Sequence, residues 1–572
     1  MEGGRAGGQG GLMFSKVLIA NRGEISVRVA RTCRELGVAS VAVHSDVDAK
    51  ARHVRVADES VHLPGVAAAE TYLSVEGVLE AAQRTGAEAI HPGYGFLAEN
   101  AAFAQAVEDA ELIWIGPPAD AIRAVGDKVS ARQIATSANV PLVPGTLEPI
   151  EDPELIKDFA RSHGYPVAIK AAGGGGGRGL RVAHSEDEVV EAFETARRES
   201  EAYFSSRDVY VERYLEAPKH LEVQLLAPNP DEALWLGVRD CSLQRRHQKL
   251  VEETPPPLFA EAAPEMGAAA VALSKACGYV NAGTVEMLVD SDGAFYFLEV
   301  NSRLQVEHTV TEEVLGLDLV ACQLRIAAGD PLGFDQTDIT ERMRGHSIEC
   351  RINAEDPRRG FLPTPGTIVG YSEPNGLGVR LDSGYEAGDT VPETYDSLIA
   401  KLITWGNDRE EARARMLRAL DEMVIEGVET SIPAHQVLLR EDSFVRGRHT
   451  TRTIEGDRVL EDLGRTGAPE DESTNVLMVE GRSVRLWNPA MAASAAAAVQ
   501  GAGGDLVAPM QGTILKVLAK QGDRVDAGDA VIVLEAMKME TTISSPMAGT
   551  IADLSVEVGD SVGAGQVVAT IE

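Results

Sequence analysis

The segment 282–301, AGTVEMLVDSDGAFYFLEVN, carries two acids and an amide at spacings that can be made to converge. Asp292-Gly293 is a two-residue turn signature. A hairpin turning there sets Ser291 opposite Ala294 and Glu286 opposite Glu299, and Asn301, two residues on, shares the face of Glu299. Facing carboxylates repel each other unless something positive lies between them. Two acids with an amide oxygen make a hard oxygen site suited to Mg²⁺ (or Mn²⁺) bridging nucleotide phosphates. The plain alternative is a solvated sheet face with tolerated acids, which fits poorly with strands otherwise so apolar.

Three further stretches carry chemistry. Arg303-Leu304-Gln305-Val306-Glu307-His308 follows the acids directly; an arginine there suits an oxyanion and a glutamate suits a base, although an exposed ion pair is the default for such spacing. The stretch 239–249, RDCSLQRRHQK, is basic in an acidic chain, with a solvated charge run as its plain alternative. Gly173–Gly177 with Arg178-Gly179 lies between β-patterned runs, as in a hairpin lid whose backbone N–H groups approach phosphate, or simply a flexible loop. It is not a P-loop, because no Lys-Ser/Thr follows. Far downstream, Glu535-Ala536-Met537-Lys538-Met539-Glu540 presents a lysine between two methionines in a β-patterned segment, where another protein can recognise and modify it. Together these stretches point to an enzyme that charges a group attached to itself.

The elements that must position these residues follow from hydrophobic periodicity. Lys16–Ala20 reads as a buried strand, a helix pattern runs on to Glu35, and Val38–His44 and Ala89–His91 read as further strands. Strands alternating with helices imply an open, mostly parallel sheet with ligands at the loops beyond the strand C-ends, where His91–Asn100 falls. The last segment repeats itself at an offset of 37 residues: Pro509-Met510 returns as Pro546-Met547, Gly512-Thr513-Ile514 as Gly549-Thr550-Ile551, and Ala527-Gly528 as Ala564-Gly565. Short β-rich halves at a fixed offset predict a small two-fold flattened barrel with Lys538 at the hairpin joining the halves.

The reading divides the chain into a Gly-rich, disordered extension (1–12), an N-terminal α/β domain (13–127), a second α/β block (128–330), a third mixed block (343–452), a connector with one hairpin and an Ala/Gly tether (453–504) and the β-repeat (505–572). A net charge of −35 argues against nucleic-acid and anionic-membrane partners. The five cysteines are scattered without paired spacing, which reads as reduced thiols in a cytoplasmic protein, and no run is apolar and long enough to span a bilayer.

At these residues the chain resembles the biotin carboxylase family of ATP-grasp enzymes, fused to a biotin carboxyl carrier domain. The motifs are KVLIANRGEIS, HPGYGFLAEN, IKAAGGGGGRG, RDCSLQRRHQK, EVNSRLQVEHTVTE, ECRINAED and EAMKME. The arrangement looks most like the α subunit of an actinobacterial-type acyl-CoA carboxylase. The resemblance implies a multi-domain α/β fold: a pre-ATP-grasp Rossmann-like domain, an ATP-grasp domain, an α+β C-terminal domain and an all-β biotinyl (lipoyl-like) flattened barrel.

It further implies that Lys128, Lys170, Gly176, Gly177, Glu212, Tyr214, Leu215, His220, Gln244 and His247 contact ATP. Glu286, Glu299 and Asn301 hold Mg²⁺ on this reading, in agreement with the register argument. Lys249, Arg303, Gln305 and Val306 cradle bicarbonate, Glu307 is the general base, Arg351 and Tyr94 engage biotin, and Lys538 carries it. The implied partners are biotin protein ligase, a second copy of the carboxylase core, a small accessory subunit and a separate carboxyltransferase β subunit. Three alternatives stay open: the carboxylase subunit of a two-subunit pyruvate carboxylase; a lipoyl carrier fused to another ligase, against which the Met-Lys-Met setting argues; and a non-catalytic binding module with an ATP-like fold, against which the intact Lys249, Glu286, Glu299, Arg303 and Glu307 argue.

Overall fold

The computed structural model describes residues 13–572 apart from 147, 172–179, 205–207, 247, 457–458, 461–462, 464–473, 480–481, 488–503, 510, 537–538 and 564. Strands β1 (Lys16–Ile19), β2 (Ala39–His44), β3 (Glu59–His62), β4 (Ala89–His91) and β5 (Ile113–Trp114) form a parallel sheet in the order β3-β2-β1-β4-β5. The apolar runs predicted as buried strands are buried: Val17, Leu18, Ile19, Val41, Ala42 and Val43 are all solvent-free. Order along the chain and order in the sheet differ at β1 and β4, and the ligand-facing loops lie beyond those strands, as expected for a doubly wound sheet.

A second, three-stranded sheet consists of β6 (Val167–Ala171), β7 (Leu180–Ala183) and β8 (Val209–Arg213), in the order β7-β6-β8. Strands β6 and β7 pair antiparallel with Lys170 opposite Leu180, so they flank the glycine run, which lies outside the described residues.

The largest element is an eight-stranded sheet. It contains β9 (Lys219–Asn229), β10 (Glu232–Arg245), β11 (Gln248–Thr254), β12 (Asn281–Val289), β13 (Phe295–Asn301) and β14 (His346–Asn353), followed by the strands Leu398–Gly406 and Val379–Ser383. Its order is β13-β12-β9-β10-β11-β14, then Leu398–Gly406 and Val379–Ser383. Hydrogen bonding therefore runs unbroken from the 128–330 block into the 343–452 block, through the β11–β14 pair. The sequence reading drew a boundary there.

The two faces of this sheet differ in chemistry. On β9, Leu221, Val223 and Leu225 alternate with His220, Glu222 and Gln224. The apolar set packs with Val285, Met287 and Val300 against Met266, Ala270 and Leu273 of the helix Ala263–Ala276. Each such side chain contributes about 1.5–3 kcal/mol on burial. The polar set is left on the opposite face, and that face becomes the site.

The β-repeat forms two four-stranded sheets, one of Asp505–Val507, Val567–Ile571, Gly549–Leu554 and Arg524–Val525, the other of Met539–Ser544, Ala530–Ala536, Gly512–Val517 and Ser561–Val562. Gly512–Val517 and Gly549–Leu554 are the predicted 37-residue counterparts, and each lies in a different sheet, so each sheet takes strands from both halves. Lys538 lies outside the described residues; the strands on either side of it pair, with Ala536 opposite Met539.

Candidate active site

The hairpin of β12 and β13 sets Glu286 opposite Glu299 and Thr284 opposite Asn301, the predicted register. The turn is not the predicted two-residue one. Val289 pairs with Phe295, and Asp290 donates its N–H to Ala294 O at 2.9 Å, so Ser291 does not pair with Ala294. An extra residue, Leu298, bulges out of β13 and restores the register at the acids. The bulge turns Leu298 and Glu299, consecutive residues, to the same side.

That side is one cleft of about 850 Å³, of nucleotide size. It is lined by Lys128, Lys170, Tyr214, Leu215, His220 and Gln244, all expected at the nucleotide. Glu286, Glu299 and Asn301 line it as well, with Leu288 and Leu298 forming apolar wall. Lys249, Arg303, Gln305, Val306, Arg351 and Tyr94 complete the lining. Glu212 is not at the surface of the cleft; it fixes the residue that is, accepting from Lys170 Nζ and from Arg132 Nη1 (3.1 Å). Gly176, Gly177 and His247 lie outside the described residues.

Local sequence explains the placement. Lys128 opens a helix capped by Asp127, whose carboxylate accepts from Ser130 N at 2.8 Å. Tyr94 sits on the loop after β4, and Asn21 holds that loop by donating Nδ2 to Pro92 O (2.7 Å) and Tyr94 O (2.8 Å). The approach is close enough that a Cβ on Gly93, at φ +63°, would meet Asn21 Nδ2 at 2.9 Å. The Tyr94 hydroxyl donates to Glu24, which also lies 3.3 Å from Lys401 Nζ. Lys401 in turn donates to Val306 O at 2.9 Å.

The electrostatic centre is Lys249. Its Nζ lies 2.7 Å from Glu222 Oε2, 2.9 Å from Glu286 Oε1 and 2.6 Å from Glu307 Oε1. Burial opposes charge on the ammonium, but these carboxylates outweigh it and hold its pKa well above the ordinary lysine value. Glu307 is fully buried and does not line the cleft; Arg351 Nη2 donates to its Oε2 at 2.8 Å. Burial works against the Glu307 carboxylate, yet Lys249, Arg351 and Arg239 keep its pKa well below the usual range, so it is an anion at neutral pH.

The two opposed acids diverge. Glu286 is desolvated, but Lys249 and His220 (3.3 Å from its Oε2) hold its pKa low. Burial and the neighbouring Glu286 raise that of Glu299, which accepts no hydrogen bond among the described residues. The donor set thus fits a divalent cation: a pair of acids with one side short of positive charge, and the amide of Asn301 beside them. Asn301 donates Nδ2 to Glu286 Oε1 at 2.9 Å and its Oδ1 accepts from Arg303 Nη2 at 3.0 Å.

Several contributors escaped the sequence reading. Glu222, opposite Glu286 across β9 and β12, is solvent-free and bridges Lys249 to Arg239, whose Nε lies 2.6 Å from Glu222 Oε1. The alternation of His220, Glu222 and Gln224 with apolar residues was the available signal. Glu99, which accepts from Arg303 Nε at 2.9 Å, had none beyond its place in the loop 91–100.

With this geometry in view, comparisons with known proteins bear on the chain. Residues 13–122 match the biotin carboxylase N-terminal domain and 349–456 its C-terminal domain. Residues 127–334 match the carbamoyl-phosphate synthase L chain ATP binding domain, and 504–571 match a biotin-requiring enzyme family. The chain is 46% identical to the biotin-dependent acyl-coenzyme A carboxylase alpha3 subunit of Mycobacterium leprae, over 93% of this chain and 94% of that one. The chain belongs to the biotin carboxylase family. The biotin carboxylase of Haemophilus influenzae is 50% identical over 76% of this chain and 97% of its own. Among solved structures, the biotin carboxylase domain dimer of Hydrogenobacter thermophilus 2-oxoglutarate carboxylase, in complex with MgADP and bicarbonate, superposes with a TM-score of 0.70. It is 46% identical and covers 78% of this chain and 99% of that one. The chain is thus a biotin carboxylase with ATP-grasp and biotinyl domains, and its cofactors are biotin and ATP. Among the described residues no helix is long and apolar enough to cross a membrane.

Proposed function

We propose that this biotin carboxylase is the α subunit of an acyl-CoA carboxylase, charging biotin on its own Lys538 and passing the carboxyl group to a separate carboxyltransferase. The observation that carries the carboxylase half is Lys249, one ammonium touching three carboxylates at the wall of a nucleotide-sized cleft. A cation so strongly held in the charged state is built to meet an anion, and Arg303 beside it adds a fork of donors.

Glu286, Glu299 and Asn301 would hold Mg²⁺, which would supply charge neutralisation on the phosphates, and biotin would supply a ureido nitrogen as carboxyl acceptor. The protein's own residues do the rest. Lys249, Arg303, Gln305 and Val306 hold bicarbonate in line with the γ-phosphoryl group. Glu307, held behind the cleft wall by Lys249 and Arg351, accepts the bicarbonate proton once those two cations turn to the substrate, as the oxygen attacks phosphorus and the bond to ADP breaks, giving carboxyphosphate. Lys249 and Arg351 hold the Glu307 pKa down and so keep it ionised at neutral pH, the state a proton acceptor needs. Arg351, with Tyr94 across the cleft, orients the biotin carbonyl oxygen and supports negative charge on it.

The acyl-CoA assignment is supported by the Mycobacterium leprae relative, which matches through the biotinyl segment, over 93% of this chain. A pyruvate carboxylase subunit of Methanothermobacter thermautotrophicus matches 77% of it, at 49% identity. Reconstitution with a carboxyltransferase partner tests the assignment: carboxylation of acetyl-, propionyl- or butyryl-CoA is expected, and transfer to pyruvate with none to acyl-CoA would overturn it.

A further inference from the structure

The proposed mechanism uses Arg351 but leaves two buried acids beside it without a task. Glu252 on β11 and Glu349 on β14 are direct cross-strand partners, and both are solvent-free. Arg351 Nε donates to Glu252 Oε1 at 2.6 Å, and the Thr309 hydroxyl donates to Glu349 Oε2. The other oxygen of each, Glu252 Oε2 and Glu349 Oε1, has no hydrogen-bond partner among the described residues. Two ionised carboxylates cannot sit opposed and buried with half their acceptors empty.

Charge counting gives the same answer. Lys249, Arg239 and Arg351 stand against Glu222, Glu286, Glu307 and Glu252, three against four, and none of them is paired with Glu349. Lys401, from the neighbouring strand, is the cation acting most strongly on Glu349 but stands 3.3 Å from Glu24. The remaining titratable neighbours, Cys241 on β10, Cys350 on β14 and Tyr94 on the loop after β4, add no positive charge; burial holds all three neutral.

We propose that Glu252 and Glu349 share one proton in the resting protein, and that the single charge left on the pair positions Arg351 between Glu252 and Glu307 at the carboxylation site. Burial raises both acids, Glu252 to about 7 against the pull of Arg351, and Glu349 well above the carboxylate range against the pull of Lys401, so Glu349 carries the proton at neutral pH. The pair consists of positioning residues, and the claim rests on the reading of Arg351 given above.

Glutamine is the neutral isostere of a protonated glutamate, which makes the two sites separable. In Glu349→Gln, an infrared band of a protonated carboxyl present in the parent at pH 7.5 should vanish, and kcat/KM for free biotin should fall by no more than about threefold. Its unfolding temperature should gain on the parent's as pH rises. Above about pH 4.3 the unfolded glutamate is ionised while the folded one keeps its proton, so the parent loses stability with rising pH and the variant does not. In Glu252→Gln, Arg351 loses one of its two charged partners and keeps only Glu307. There kcat/KM for biotin should drop about tenfold with KM for ATP held within about twofold. Equal losses in the two variants, an infrared band unchanged by Glu349→Gln, or a Glu349→Gln chain that does not fold would each overturn the shared proton. If Arg351→Gln leaves biotin carboxylation intact, the reading of Arg351 fails instead, and the infrared and pH results still decide the proton.

Discussion

Replacing Lys249 by methionine keeps the aliphatic stem and deletes the one charge that Glu222, Glu286 and Glu307 share at 2.7, 2.9 and 2.6 Å. Breaking a buried ion pair by removing one partner costs roughly 3–5 kcal/mol. Here three carboxylates lose a partner, although Glu222 keeps Arg239 and Glu307 keeps Arg351. About 4 kcal/mol, or roughly 4 °C in the unfolding temperature of a body of about 440 residues, is therefore expected at pH 7.5. The sign with pH follows from the depressed Glu286 and Glu307. Their stabilisation in the parent is fully present above the unfolded value of about 4.3 and is lost as pH falls through the lower folded values, so the gap between parent and variant narrows below about pH 4.3. In the same variant, bicarbonate-dependent ATP hydrolysis should fall by about 10²–10³, the usual consequence of losing one preorganised stabiliser of an anionic transition state. Differential scanning calorimetry across pH and a coupled ADP assay measure both. A gap that does not narrow between pH 7.5 and about pH 3, or turnover within a few-fold of the parent, would refute the role given to Lys249.

Other substitutions separate the parts of the site. Glu299→Ala should remove bicarbonate- and biotin-dependent ATP hydrolysis while raising stability slightly at neutral pH, since burial and Glu286 disfavour its charge; undiminished turnover at limiting Mg²⁺ would remove it from the metal site. Lys538→Arg should lose streptavidin reactivity while the chain still carboxylates free biotin, and retained reactivity would put the modified lysine elsewhere. Asn21→Ala deletes both side-chain donors to the Tyr94 loop and leaves two carbonyls short of a partner, at a cost of about 1–3 kcal/mol. It should raise KM for free biotin more than KM for ATP, and a reversed order would contradict the tether.

How much of this was legible in the sequence depends on how far apart the interacting groups lie along the chain. Glu286 and Glu299 could be paired from a local turn signal, and the pairing was right even though the turn was wrong. DSDGA offers more than one way to reverse direction, and the Leu298 bulge absorbs the residue that the longer connection costs the register. The 37-residue repeat was equally local, because each half carries its own turn residues at matching places. What stayed hidden was Glu222 facing Glu286 and Glu252 facing Glu349. Those contacts are set by the β9–β12 and β11–β14 pairings, which join strands far apart along the chain, so no local turn signal fixes their register.

The uninterrupted eight-stranded sheet is what turns separate motifs into one site. Glu286 and Glu299 stand on β12 and β13 at one edge, Lys249 on β11, and Arg351 on β14 beyond it. A single hydrogen-bonded sheet therefore carries the metal ligands, the anion-binding lysine and the arginine proposed at biotin. Had the 128–330 and 343–452 segments been separate bodies, the ATP-side acids and Arg351 would have been related by a hinge, and small rotations would have moved them apart by more than the roughly 1 Å that catalytic positioning tolerates. The β11–β14 ladder, with Val251 opposite Cys350 and Glu252 opposite Glu349, removes that freedom. The three-stranded sheet carrying Lys170 hangs on its own core of Ile156, Val167, Ile169 and Phe193, separate from the cores beneath the large sheet. Disrupting that small core, as in Phe193→Ala, should weaken nucleotide binding while leaving the Lys249–Glu307–Arg351 contacts and the β11–β14 pairing in place.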